Sequence, residues 1–151
     1  MNERFRKIIE TFPAKMEHLN QSPFITKNEL DNVPKMGIYV FYEEDRPVYV
    51  GRSERLKARL REHSQQSSGH MSATYAFNIA KKEAKESGID TRKRRIDLER
   101  DPEFAPIYKQ AKERISKMQI RVIGIEDPVE QTLFEVYAHL ELGTDNEWGT
   151  H

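Results

Sequence analysis

The chain has 151 residues, no cysteine, and 25 basic residues against 25 acidic ones, for a formal net charge of zero. That length suits one domain with a real core, and the missing cysteines exclude disulfides and thiolate metal sites and fit a reducing cytoplasm. No stretch approaches the roughly 20 apolar residues that span a bilayer, and the charged start MNERFRKIIE is no secretory signal, so neither membrane insertion nor secretion is expected.

Neutrality taken globally counts against a nucleic-acid binder. The charge is segregated, however. Arg52, Arg55, Lys57, Arg59 and Arg61 crowd residues 52–61 against the single Glu54, TRKRR forms a basic knot at 91–95, and every charge from Glu126 to Glu147 is acidic. Local patches are what a phosphate backbone senses. A solvated helix face is the plain alternative for each of them.

In chain order, Phe5, Ile8, Ile9 and Phe12 stand at i, i+3, i+4, i+7 and predict an amphipathic helix over residues 2–12, ended near Pro13, able to pack on the core or on a second copy. Residues 14–35 read as irregular, broken by Pro23 and Pro34. Gly37 to Glu43 is a β-rich run, Glu44-Asp45-Arg46 a turn, and Pro47 to Gly51 a second strand, together a hairpin. Ser53 can cap the next helix, whose apolar stripe is Leu56 and Leu60. Residues 64–72, SQQSSGHMS, form a polar loop; helices are expected over 73–87 and, after the Asp101-Pro102 start signal, over 102–117. Met118 to Ile125 alternates as a third strand, and Asp127-Pro128 starts a helix that runs to about Leu142 before Gly143. The order ββα, insertion, βα predicts an α+β fold, a small, mainly antiparallel three-stranded sheet flanked by helices. One domain is expected over 1–151, with an N-terminal helical extension at 1–35 and a mostly helical insertion at 64–118.

Two spacings carry chemistry. Arg59 and His63 lie one helical turn apart, and with Leu56 and Leu60 they follow an i, i+3, i+4, i+7 pattern that sets them along the border of the buried stripe. On the last helix, Val129, Leu133, Val136, Tyr137 and Leu140 are expected to form the buried face, with Glu135 beside it.

The tripeptides Gly37-Ile38-Tyr39 and Tyr49-Val50-Gly51, the Arg59-x-x-x-His63 helix and the later Glu135…Asn146 block, in this order, resemble the GIY-YIG nuclease family, restriction-type members with an insertion included. The resemblance implies a phosphodiester hydrolase with one glutamate-bound divalent metal, Mg²⁺ or Mn²⁺, cutting DNA to 5′-phosphate and 3′-hydroxyl ends. RNA is the alternative substrate, and a binding module that has lost turnover on the same fold is the alternative function. By matching positions, Tyr39 is a candidate general base, although an ordinary phenol costs about 4 kcal/mol to ionise near pH 7. His63, of an ordinary pKa near 6.5, is the competing base or its helper. Tyr49 orients the water or Tyr39, Arg59 grips the scissile phosphate, and Glu135 holds the metal, with Glu130 as the competitor one turn earlier. Asn146 either ties the tail to the site or touches phosphate. Arg52, Arg55 and Lys57 are expected to contact phosphates without sequence preference, and Arg92, Lys93, Arg94 and Arg95 either reach into DNA or stay solvated. The expected partners are nucleic acid and no membrane, in a monomer or homodimer in the cytoplasm.

Overall fold

Strands β1 (Gly37–Glu43) and β2 (Arg46–Ser53) form the expected hairpin, but the turn is shorter and β2 longer than the sequence reading. Only Glu44 and Asp45 turn the chain, both with positive φ (51° and 66°), so Arg46 already belongs to β2. Two left-handed residues in succession match the right-handed twist of the flanking strands. Strand β3 (Gln119–Gly124) joins β1 on its other side, giving an antiparallel sheet in the order β2-β1-β3.

The computed structural model describes residues 1–149, which fall into two units: residues 1–57 with 118 onward, and residues 58–117. The first is the α+β unit that carries the sheet. Its N-terminus differs from expectation. Pro13 does not open an irregular stretch; helix α1 (Glu3–Glu10) is followed at once by helix α2 (Phe12–Gln21), with Pro13 in its first turn. A proline is tolerated there because the N–H it lacks would have no partner inside the helix. Asp127 caps helix α7 (Pro128–Leu142) by accepting from the Val129 N–H, and Gly143 ends it at φ 67°.

Alternation along the strands sorts the sheet into two faces. Ile38, Val40, Tyr42, Val50 and Ile123 meet Phe12, Met16 and Leu19 of α2 and Phe134 and Ala138 of α7. Phe12 and Phe134 pack edge to face at 5.2 Å. On the opposite face the register lines up Tyr39 with Gly51 and Val122, and Phe41 with Tyr49 and Ile120. Both outer strands are covered. Ile25 exchanges backbone hydrogen bonds with Ile120 of β3, and the tail after α7 runs along β2, where the Asp145 N–H donates to the Val48 carbonyl.

Helix α3 (Leu56–Glu62) starts in the first unit and continues into the second. There, helix α4 (Thr74–Glu86) and the short helix α5 (Arg95–Glu99) pack on helix α6 (Phe104–Ser116) around Phe77, Phe104 and Tyr108. Among the described residues no helix is long and apolar enough to cross a membrane.

Candidate active site

The two tripeptides are locked together by a side chain and a gap. Tyr39 on β1 faces Gly51 on β2 directly across the ladder. The tip of its ring lies over that glycine: a Cβ at position 51 would stand 2.3 Å from both Cζ and Oη of Tyr39. The second glycine is therefore the floor under the first tyrosine, and the phenol head crosses to β2 over Gly51. Tyr49 stands diagonally on the same face, its ring centre 6.4 Å from that of Tyr39, with Phe41 completing the group at 5.6 Å. Tyr39 is 1% exposed.

The next residue of β2 meets the carboxylate from α7. Burial pushes the Glu135 pKa above the ordinary carboxylate value, and the guanidinium and backbone N–H of Arg52 lie close enough to oppose that rise in part. Arg52 Nη1 donates to Gln131 Oε1 at 3.2 Å, and Gln131 Nε2 donates to the Ile125 carbonyl at 2.6 Å. Gln131 is completely buried and both ends of its amide are used, so it fixes the Arg52 side chain one helical turn from Glu135. Glu130 points elsewhere: it pairs with Lys15 of α2 at 2.5 Å.

The buried face of α7 is not the one expected from its apolar residues. Gln131, Phe134 and Ala138 are buried, with Leu133 and Tyr137 partly so, while Val129, Val136 and Leu140 are exposed at 46%, 40% and 71%. The buried face includes a glutamine whose polar groups are both satisfied, which an apolarity count misses. Glu135 still borders the buried face.

Asn146 accepts from the Val50 N–H at 2.9 Å and donates to the Val50 carbonyl at 2.7 Å, so its amide pairs with β2 as another strand would. Thr144 Oγ1 donates to Asn146 Oδ1, and His139 Nδ1 contacts that hydroxyl at 2.8 Å. Trp148 stands against the His139 ring at 5.3 Å. Of the two roles expected for Asn146, tying the tail to the hairpin is the one its contacts describe.

Among the described residues no three His, Cys, Asp or Glu side chains cluster to enclose a metal ion. The donor chemistry at Glu135 fits a hard divalent cation held differently, by one protein carboxylate with waters and phosphate oxygens in the remaining positions. A cation there would also offset the desolvation that the carboxylate bears.

In the second unit, Arg59 Nη1 donates to the Ser72 carbonyl at 2.8 Å and stands 3.6 Å from Glu62. His63 is fully buried just past the end of α3. Burial first, then the Arg59 charge, lower its pKa well below 6.5. A depressed histidine pKa makes stability present above the unfolded value and lost as pH falls below it. Melting temperature is therefore expected to fall from about pH 7 to about pH 5, and His63→Leu to flatten that slope. Parallel slopes for the two proteins would refute this account.

The remaining basic residues are engaged close at hand. Lys57 pairs with Asp31 at 3.0 Å, and the Arg55 N–H is held by Ser53 Oγ, a turn at the end of β2 in place of the expected helix cap. In the knot at 91–95, Arg92 binds Asp90, Lys93 binds Asp101 and Arg94 binds Asp97, while Arg95 lies over the Phe77 ring at 5.2 Å. Hydrogen bonds from Arg92 hold the Asp90 pKa down to about 2. Sequence proximity shows the five consecutive polar and basic letters; it does not show the three aspartates folded against them. Gln131 and the loop-holding residues Glu99 and Lys112 were likewise without a local sequence signal, because their partners are far along the chain.

The model of the GIY-YIG catalytic domain matches residues 35–101, which include Tyr39, Tyr49, Arg59 and His63; Glu135 and Asn146 lie beyond the match. The sheet, the hairpin and this match agree: residues 35–101 are similar to the GIY-YIG catalytic domain, a nuclease-type fold. No curated protein and no solved structure gave a match.

Proposed function

We propose that the protein is a divalent-metal-dependent endonuclease that hydrolyses DNA phosphodiester bonds to 5′-phosphate and 3′-hydroxyl ends, acting in the cytoplasm. The observation that carries this reading is that consecutive residues of β2 are each approached by one group of the kind the chemistry needs: Gly51 by the Tyr39 phenol, and Arg52 by the half-buried Glu135 carboxylate. In this reading Tyr39, as phenolate, takes a proton from a water whose oxygen attacks phosphorus. The bond from phosphorus to the 3′-oxygen breaks, and that oxygen gains a proton from solvent. Tyr49 keeps the Tyr39 ring oriented. Arg59 has the phosphate grip that the family resemblance assigns to it, and Arg52 adds positive charge beside Glu135. The Mg²⁺ or Mn²⁺ held by Glu135 supplies charge neutralisation at the phosphoryl oxygens. His63, fully buried and with its pKa lowered by burial and by the Arg59 charge, would be a weak base, and this reading gives that role to Tyr39.

Supercoiled plasmid incubated with the protein and Mg²⁺ or Mn²⁺ is expected to be nicked, with ligatable 5′-phosphate ends and no nicking in EDTA. Equal cutting by Glu135→Ala would overturn the proposal. Binding of plasmid without any metal-dependent cutting would favour the binding module, and faster cleavage of a matched RNA would move the substrate class.

A further inference from the structure

We propose that Lys112 and Glu99 are positioning residues for Arg59, acting through the loop between α3 and α4. The inference rests on the phosphate-gripping role proposed for Arg59, but its structural half stands apart from that role. The loop has little apolar content, SQQSSGHMS, and little reason to hold one shape alone. It is nevertheless fastened at both ends by charge. Lys112 of α6 is 5% exposed, and its ammonium donates to the carbonyls of Gln66 at 2.8 Å and Ser68 at 3.1 Å. The Tyr108 hydroxyl donates to the same Ser68 carbonyl, and the ammonium sits 4.2 Å over the Tyr108 ring. Further on, Glu99 Oε2 accepts from the His70 N–H at 3.0 Å and meets His70 Nδ1 at 2.6 Å. Gly69 is close against the same carboxylate: a Cβ there would meet Glu99 Oε1 at 3.1 Å. The Gly69 carbonyl then accepts from the N–H groups of Ser72 and Ala73, and the Ser72 carbonyl receives the Arg59 guanidinium.

The contacts thus form a continuous relay from the α6 ammonium, along the loop carbonyls, to the guanidinium on α3. A buried lysine is a poor route to stability, since desolvation opposes its charge, and here burial does lower its pKa. An apolar residue at 112 would fill the space without leaving an ion to satisfy. What a cationic head with several donors supplies, and an apolar side chain cannot, is the simultaneous grip on two carbonyls six and four residues ahead of Ser72. Lys112 lies beyond the residues that match the family domain, whereas Arg59, Ser72 and Glu99 lie within them, and all four belong to the second unit.

The test is a double-mutant cycle on the full chain. Lys112→Met keeps the stem over Tyr108 and removes the ammonium; it is expected to slow plasmid nicking at saturating DNA about 10- to 100-fold, the scale of a misplaced catalytic group, with DNA affinity within about twofold. Lys112→Arg is expected to restore most of that rate. In an Arg59→Ala background, Lys112→Met is expected to cost nothing further, because its effect passes through Arg59. An equal loss in both backgrounds would overturn the proposal. Glu99→Gln is the second variant and is expected to reproduce the Lys112→Met pattern; if Lys112→Met fails to fold, that variant decides. The ¹⁵N guanidinium signal of Arg59 reads positioning without activity: protected in wild type, it is expected to exchange faster in Lys112→Met and Glu99→Gln. Unchanged protection overturns the positioning claim even if nicking is seen, whereas absent nicking with lost protection overturns the nuclease reading alone.

Discussion

Glu135→Gln is expected to cut DNA at least about 10³-fold more slowly than wild type, because it removes the carboxylate proposed to hold the metal and with it several kcal/mol of charge stabilisation. The same variant is expected to melt no lower than wild type, and higher at neutral pH. The sign follows from the raised pKa of Glu135, whose first cause is burial. A carboxyl with a raised folded-state pKa favours the fold when protonated, and that contribution is lost as pH rises through the folded value. At pH 7 the ionised carboxylate therefore weighs against folding, and glutamine, neutral and of similar shape, relieves it. Melting curves in EDTA over an acid-to-neutral series check this: the variant's advantage should shrink as pH falls and wild-type Glu135 takes up its proton. A variant that is both inactive and clearly less stable at neutral pH would show that Glu135 serves the fold and not the metal.

Gly51→Ala tests the other half of the site. The glycine does not need an unusual backbone, since its φ is not positive, so any cost comes from contact alone. A methyl group 2.3 Å from Tyr39 Cζ and Oη forces the ring to move, and Phe41 and Tyr49 limit where it can go. The expected loss is about 1–3 kcal/mol of stability from overpacking and about 10²-fold in cleavage rate from displacing the phenol by an ångström. Pairing the change with Tyr39→Ala should give a stability loss well below the sum of the two single losses, with no recovery of activity. Wild-type cleavage by Gly51→Ala would mean that the Tyr39 hydroxyl has no part in the chemistry.

Much of this site is legible in the sequence because its parts are local or strongly marked. The hairpin follows from alternation and a polar turn, and α7 from an aspartate cap, a first-turn proline and a closing glycine. What the sequence hides depends on distant partners. Pro13 reads as a stop because a helix precedes it, yet it opens α2, whose buried face is set by Met16 and Leu19 meeting the sheet. Gln131 reads as a surface residue until the Ile125 carbonyl and Arg52 are seen on either side of it, while Val136 and Leu140, which read as core, face outward. The basic knot reads as a run of cations, either DNA-facing or solvated; the Asp90, Asp97 and Asp101 partners that lie against it are not visible in that run.

The covering of both outer strands has a consequence for how this protein meets others. An open strand edge is a template for a foreign strand, and three strands leave two such edges in the sheet. Here the Ile25 bridge closes one, and the Asn146 amide, bonded to both backbone groups of Val50, closes the other where β2 passes the site. Strand addition at Ile120 and at Val50 would have to displace these partners first. The segment after α7 thus covers part of the β2 edge as well as bracing the hairpin.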